Sequence, residues 1–159
     1  MPGRDRDPQG RARNARPRDA TGRPLARATA GAEQLPDDLH LTPTESIAQA
    51  QRLLDEGLPF SAHEVLEAAW KAAPDEQREL WRGLAQLAVG LTHLQRGNAR
   101  GAVALLSRAA ERIGAWAGPS PHDLDLDGLR SHAVDLAHRI ERDGVEVVRQ
   151  AEPRTRLRG

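Results

Sequence analysis

One pattern occurs twice in this chain at a spacing of 40 residues: Gly57-x4-Ala62-x3-Leu66-x2-Ala69 and Gly97-x4-Ala102-x3-Leu106-x2-Ala109. Steps of four and three residues keep the two alanines and the leucine on one face of an α-helix, and the leading glycine supplies a turn before it. Each copy therefore reads as the second helix of a helical hairpin, with a small alanine just after the turn so that the paired helices approach closely. Two units are fewer than an open solenoid needs, so the expected fold is all-α, a compact antiparallel helical bundle of two hairpins plus a C-terminal helix.

Local signals place the helices. Thr42-Pro43-Thr44-Glu45 is a capping box with proline at the first helical position, and Ile47, Ala50, Leu53 and Leu54 continue it as an apolar stripe. Gly57 ends that helix and Pro59 prevents its continuation. A second helix is expected to start at Ser61, with Glu64 reaching back to the cap. A turn at Pro74-Asp75 leads into a third helix running to about Arg96, and Gly97-Asn98 leads into a fourth that presents Ala102, Leu105, Leu106, Ala109 and Ile113. Gly118-Pro119-Ser120-Pro121 breaks the chain before a fifth helix from about Asp127 to Val148. Asp123-x-Asp125-x-Asp127-Gly128 imitates half an EF-hand loop, but its twelfth position is Val134 where a bidentate glutamate belongs, so helix capping by Asp125 or Asp127 is the expected role.

The repeat separates scaffold from additions. Ala62, Leu66 and Ala69 have counterparts of the same kind, whereas His63 aligns with Val103, Glu67 with Ser107 and His93 with Leu53. His63 and Glu67 are one turn apart beside Trp70, and can act on one ligand. Gln86 and His93 share the side of the third helix opposite its Leu80, Leu84, Leu87, Leu91 stripe. His63, Glu67 and His93 have the chemistry of a two-histidine, one-carboxylate metal set, with Gln86 orienting a ligand or water and Glu64 as a base. The same residues suit a buried hydrogen-bond network without metal, or a contact to a small ligand or a protein partner. Trp70, Trp81 and Arg96 are candidates for the wall of such a pocket.

His63-Glu64-x-x-Glu67-x-x-Trp70, Gly83-Leu84-x-Gln86-Leu87-Ala88, and His93-x-x-Arg96-Gly97-Asn98 with Gly101-Ala102 resemble the bacterial and archaeal family catalogued as domain of unknown function 309, over roughly Leu53 to Ile113. The resemblance implies a compact helical domain in which His63, Glu67, Gln86 and His93 belong together. It also implies a divalent metal ion and hydrolase activity, since members are labelled metal-dependent hydrolases by inference.

Composition narrows the remainder. The 159 residues sum to zero net charge and contain no cysteine, which excludes disulfides, thiolate metal sites and a cysteine nucleophile. No apolar run approaches the length of a membrane span, and no secretory signal opens the chain, so a cytoplasmic protein is expected. Residues 1–32 hold eight Arg and three Asp, a net +5, and scarcely a large apolar side chain. The expected organisation is thus a disordered basic arm over 1–37, a helical domain over 38–150 and a disordered basic tail over 151–159. A basic arm can touch phosphate backbones, but without basic-aromatic alternation specific nucleic-acid binding is not expected. Phosphate loops, serine-nucleophile motifs and dinucleotide fingerprints are lacking.

Overall fold

The computed structural model describes residues 41–158, and the basic arm expected over 1–37 lies outside them. Six α-helices follow in order: α1 Pro43–Asp55, α2 Pro59–Ala72, α3 Asp75–Gln95, α4 Ala99–Gly114, α5 Leu126–Asp143 and α6 Val145–Gln150. Helices α1 to α5 each pack on the next, and α6 rests on α5 and α3, which makes an all-α bundle. A single core gathers Leu53, Leu66, Leu84, Leu87, Leu106, Leu129 and Leu136 from five helices. Among the described residues no helix is long and apolar enough to cross a membrane.

The repeat is visible as backbone geometry. At the end of α1, Gly57 takes φ +76°, its N–H donates to Leu54 O, and the Leu58 N–H donates to Leu53 O at 2.8 Å. At the end of α3, Gly97 takes φ +78°, its N–H donates to Leu94 O, and the Asn98 N–H donates to His93 O at 2.9 Å. Both are Schellman stops, in which a left-handed residue satisfies the last carbonyls of a helix. Entry into α1 uses the expected capping box, with Thr42 N–H donating to Glu45 Oε1 at 2.9 Å and Glu45 N–H to Thr42 Oγ1 at 3.1 Å. Asn98 and Asp125 cap α4 and α5 by accepting from the N–H of Gly101 and Gly128.

Three expectations need correction. Helix α2 begins at Pro59, two residues before Ser61, because proline at the first helical position supplies a helical φ and has no N–H to leave unpaired; Ser61 is buried within the helix. The fifth helix stops at Asp143, where Gly144 at φ +92° redirects the chain into α6. The basic tail from 151 is not loose over its described residues. Burial alternates from Pro153 to Leu157: Thr155 and Leu157 face inward, at 5% and 0% exposure, and Arg154 and Arg156 face out. This is the two-residue period of extended backbone. The strap joins α1 to the start of α5, because the Gln51 carboxamide donates to Thr155 O at 2.9 Å and accepts from Leu157 N–H at 2.8 Å, while Asp125 N–H donates to Leu157 O at 2.9 Å. An isolated antiparallel bridge pairs Leu124 with Arg158.

Closest approach occurs between α3 and α4. A Cβ at Gly90 would sit 2.9 Å from Leu106 Cγ and 3.2 Å from Leu106 N, and one at Gly83 would sit 2.9 Å from Arg112 Cβ. These two glycines, seven residues apart on one face of α3, let the fourth helix lie against the third.

Candidate functional site

His63 and Glu67 stand on α2, and Gln86 and His93 on α3, the two packed helices of one hairpin. The guanidinium groups of Arg78 and Arg82 lie over the Trp70 ring at 6.0 and 5.7 Å, which fixes the side of α3 that meets the Trp70 side of α2. Seven residues back from Trp70, two turns along the same side of α2, stands His63. Four residues on from Arg82, one turn along the same side of α3, stands Gln86. The helices run antiparallel about Ala73-Pro74, so His63 and Gln86 occupy levels within roughly 3 Å of each other along the hairpin. His93, seven residues beyond Gln86, lies about 10 Å further from the turn.

Within α2, His63 Nε2 meets Glu67 Oε2 at 3.0 Å, and Glu67 Oε1 meets Lys71 Nζ at 3.3 Å, a row of three side chains each one turn from the next. The hydrogen bond from His63 is the main reason that the Glu67 carboxyl is lowered to about 2; partial burial opposes it, and the charges of His63 and Lys71 assist. Phe60 packs against the imidazole with ring centroids 5.6 Å apart. With Nε2 turned to a carboxylate, the neutral ring carries its proton there and Nδ1 is a hydrogen-bond acceptor. That Nδ1 is buried without a hydrogen-bond partner, and so is Gln86 Oε1. Two unmatched acceptors therefore stand on neighbouring helices, at levels within roughly 3 Å of each other along the hairpin.

His93 serves another corner. Its Nδ1 is 3.1 Å from Asn98 Nδ2, and the ring lies against Gly101 at the entry of α4, where a Cβ would come within 2.8 Å of it. Burial, and then the charge of exposed Arg96, holds this imidazole below its ordinary range. Among the described residues no three His, Asp or Glu side chains converge to hold a metal ion. The set of His63, Glu67 and His93 does not fit one, because His93 is a separate site along the hairpin and the carboxylate between the other two is already shared with Lys71. Glu64 stands about 100° round α2 from His63, facing elsewhere than the acceptor pair. Trp81 does not wall this flank either: it is 1% exposed, donates from Nε1 to Gln77 Oε1 at 3.2 Å, and lies beside His122 with ring centroids 6.1 Å apart. Trp70 is the aromatic residue that does.

Sequence reasoning missed the strap residues Gln51, His132, Thr155 and Leu157. His132 Nε2 lies 2.9 Å from Thr155 Oγ1, and burial lowers the pKa of this imidazole. The available signal was the alternation of Pro153, Thr155 and Leu157 beneath the arginines.

The family model described as "Domain of unknown function (DUF309)" matches residues 47–105, which supports the resemblance carried by the motifs. A similar protein, "Uncharacterized protein YpuF" of Bacillus subtilis (strain 168), is 41% identical over 69 residues, a stretch that covers 43% of this chain and 39% of that relative. The chain thus spans about two fifths of the length of the relative it matches. No solved structure matches the chain.

Proposed function

We propose that this chain, whose residues 47–105 match the family model of DUF309, is a noncatalytic helical-hairpin interaction module. Its α2–α3 flank receives a hydrogen-bond donor, such as an amide N–H, an ammonium or a guanidinium, from a partner. The observation that carries this reading is the pair of buried, unmatched acceptors, His63 Nδ1 and Gln86 Oε1, on neighbouring helices at one level. A buried polar atom without a partner costs about 1–3 kcal/mol, and a donor placed between helices recovers that energy on binding. The ionised Glu67 carboxylate, which meets both His63 and Lys71, fixes the orientation of the imidazole. Trp70 beneath two guanidinium groups gives the same flank a flat apolar shelf, the kind of surface on which a partner side chain anchors.

Selection of peptides from a random displayed library against the full chain tests this reading. Selected peptides should bind wild type and lose about tenfold or more in affinity to Gln86→Ala or His63→Ala, with Glu111→Ala as an exposed control that changes nothing. Peptides indifferent to both substitutions would remove the flank from consideration. The metal-hydrolase reading makes a different forecast: protein purified without an affinity tag should be thermally stabilised by zinc, manganese, iron or nickel, and His63→Ala should abolish the effect. That result would replace the interaction module with a metal site.

A further inference from the structure

The C-terminal strap is held in the manner of a bound peptide. One side-chain amide, Gln51, reads its backbone twice, accepting from one residue and donating to another two positions away. A fully buried leucine, Leu157, anchors it, and a histidine meets its threonine hydroxyl. Asp125 N–H and the Leu124–Arg158 bridge extend backbone pairing on the other side. Every one of these contacts lies between residues 153–158 and the body formed by α1, α5 and the two residues before α5, so a strap from another molecule would make the same set.

The hinge behind the strap is strained. Glu152 adopts φ +48°, a left-handed conformation that side-chain-bearing residues disfavour, and it does so immediately before Pro153, which restricts it further. Its N–H still donates to Arg149 O at 3.1 Å, so the turn is closed tightly. A cleft of about 590 Å³ flanks it, lined in part by Leu54, Leu91, Gln95, Glu152 and Pro153, which leaves the hinge room to move. Release of the strap in one molecule would expose the Leu157 seat and relax Glu152.

We propose that the α1–α5 groove is an interaction surface for a second copy of this chain, whose residues 153–158 it takes in exchange for its own. The occupant is identified by the groove's contents: an extended segment with threonine and leucine at alternate inward positions and arginines between them. Exchange conserves all groove contacts in both copies, so the balance between closed monomer and exchanged dimer rests on the hinge and on concentration. This inference uses a surface separate from the α2–α3 flank, and neither depends on the other.

The test uses full chains refolded from denaturant at about 10 µM and about 1 mM, the latter in the range of effective concentrations set by short linkers, with mass measured by light scattering after size exclusion. Wild type should be monomeric at the lower value and partly dimeric at the higher. Glu152→Gly, which accepts the left-handed turn, should reduce the dimerisation constant at least about fivefold; Glu152→Pro, which forbids it and removes the N–H, should raise it by a similar factor. Nuclear magnetic resonance on a mixture of differently labelled wild-type chains should show Leu157 of one copy against Gln51 of the other. Wild type and Glu152→Pro that remain wholly monomeric at about 1 mM would overturn the proposal. So would a dimer without the intermolecular Leu157 signal.

Discussion

Gly90→Ala sets two effects against each other, and the structure decides the sign. Alanine in a helix interior is favoured over glycine by about 1 kcal/mol, so propensity alone forecasts a gain. The added methyl would, however, sit 2.9 and 3.0 Å from the Leu106 Cγ and Cδ2 atoms and 3.2 Å from the Leu106 backbone nitrogen. The leucine is fully buried, and the backbone contact can be relieved only by moving α4 as a whole. Because α4 is packed on α3 and on α5, that movement disturbs two interfaces. Overpacking of this kind costs about 1–3 kcal/mol, and the backbone contact places it in the upper half of that range. The net expectation is a loss of about 1–2 kcal/mol, or a fall in Tm of roughly 4–8 °C for a domain of this size. Urea unfolding followed by circular dichroism at fixed pH measures it. Gly114→Ala is the control, since its Cβ would meet only the flexible Arg130 side chain, 2.8 Å away at Cδ, which can swing aside. Gly90→Ala as stable as wild type would refute the claim that glycine is there for helix approach. Gly83→Ala should act in the same direction, and the double variant should lose less than the sum, since both substitutions push α4 outward.

Three further outcomes follow from geometry. Glu67 has a folded-state pKa lowered to about 2, below its unfolded value, so its contribution to stability is complete above about pH 4.5 and is lost as pH falls toward 2. Glu67→Gln should remove that part of the acid dependence, and identical acid-unfolding profiles would contradict the His63–Glu67–Lys71 row. Thr42→Ala should destabilise by about 0.5–2 kcal/mol through loss of the α1 capping box, as read by thermal unfolding. Leu157→Ala should cost about 2–5 kcal/mol, the range for a buried leucine, whereas a loose tail predicts no change.

The sequence was most informative where local rules act alone. Thr42-Pro43-Thr44-Glu45, Gly57, Gly97 and Asn98 each determine their own turn or cap through bonds that span five residues or fewer, and the structure has them where those rules place them. Gly144 falls inside an otherwise continuous apolar stripe, and a single glycine does not reveal in sequence whether a helix tolerates it or turns there. The tail was misread because charge density hid its alternation, and because its partners Gln51 and His132 sit on other helices. For the candidate site, residue type was legible: His63 Nδ1 and Gln86 Oε1 are both buried polar atoms without a partner. Axial position was not: His93 lies about 10 Å beyond Gln86 along α3 and meets Asn98, since helical phase says nothing about which levels of two helices face each other.

The strap gives the domain an order of completion. One backbone clamp joins Leu157 to Gln51 across a sequence separation of 106, so the groove beside α1 is filled only by residues that lie beyond α6. Contacts of α1 with α2 and of α3 with α4 are local and can form early, whereas the strap's contacts with α1 must close a long stretch of chain. Until that closing step, the seat that fully buries Leu157 stands open.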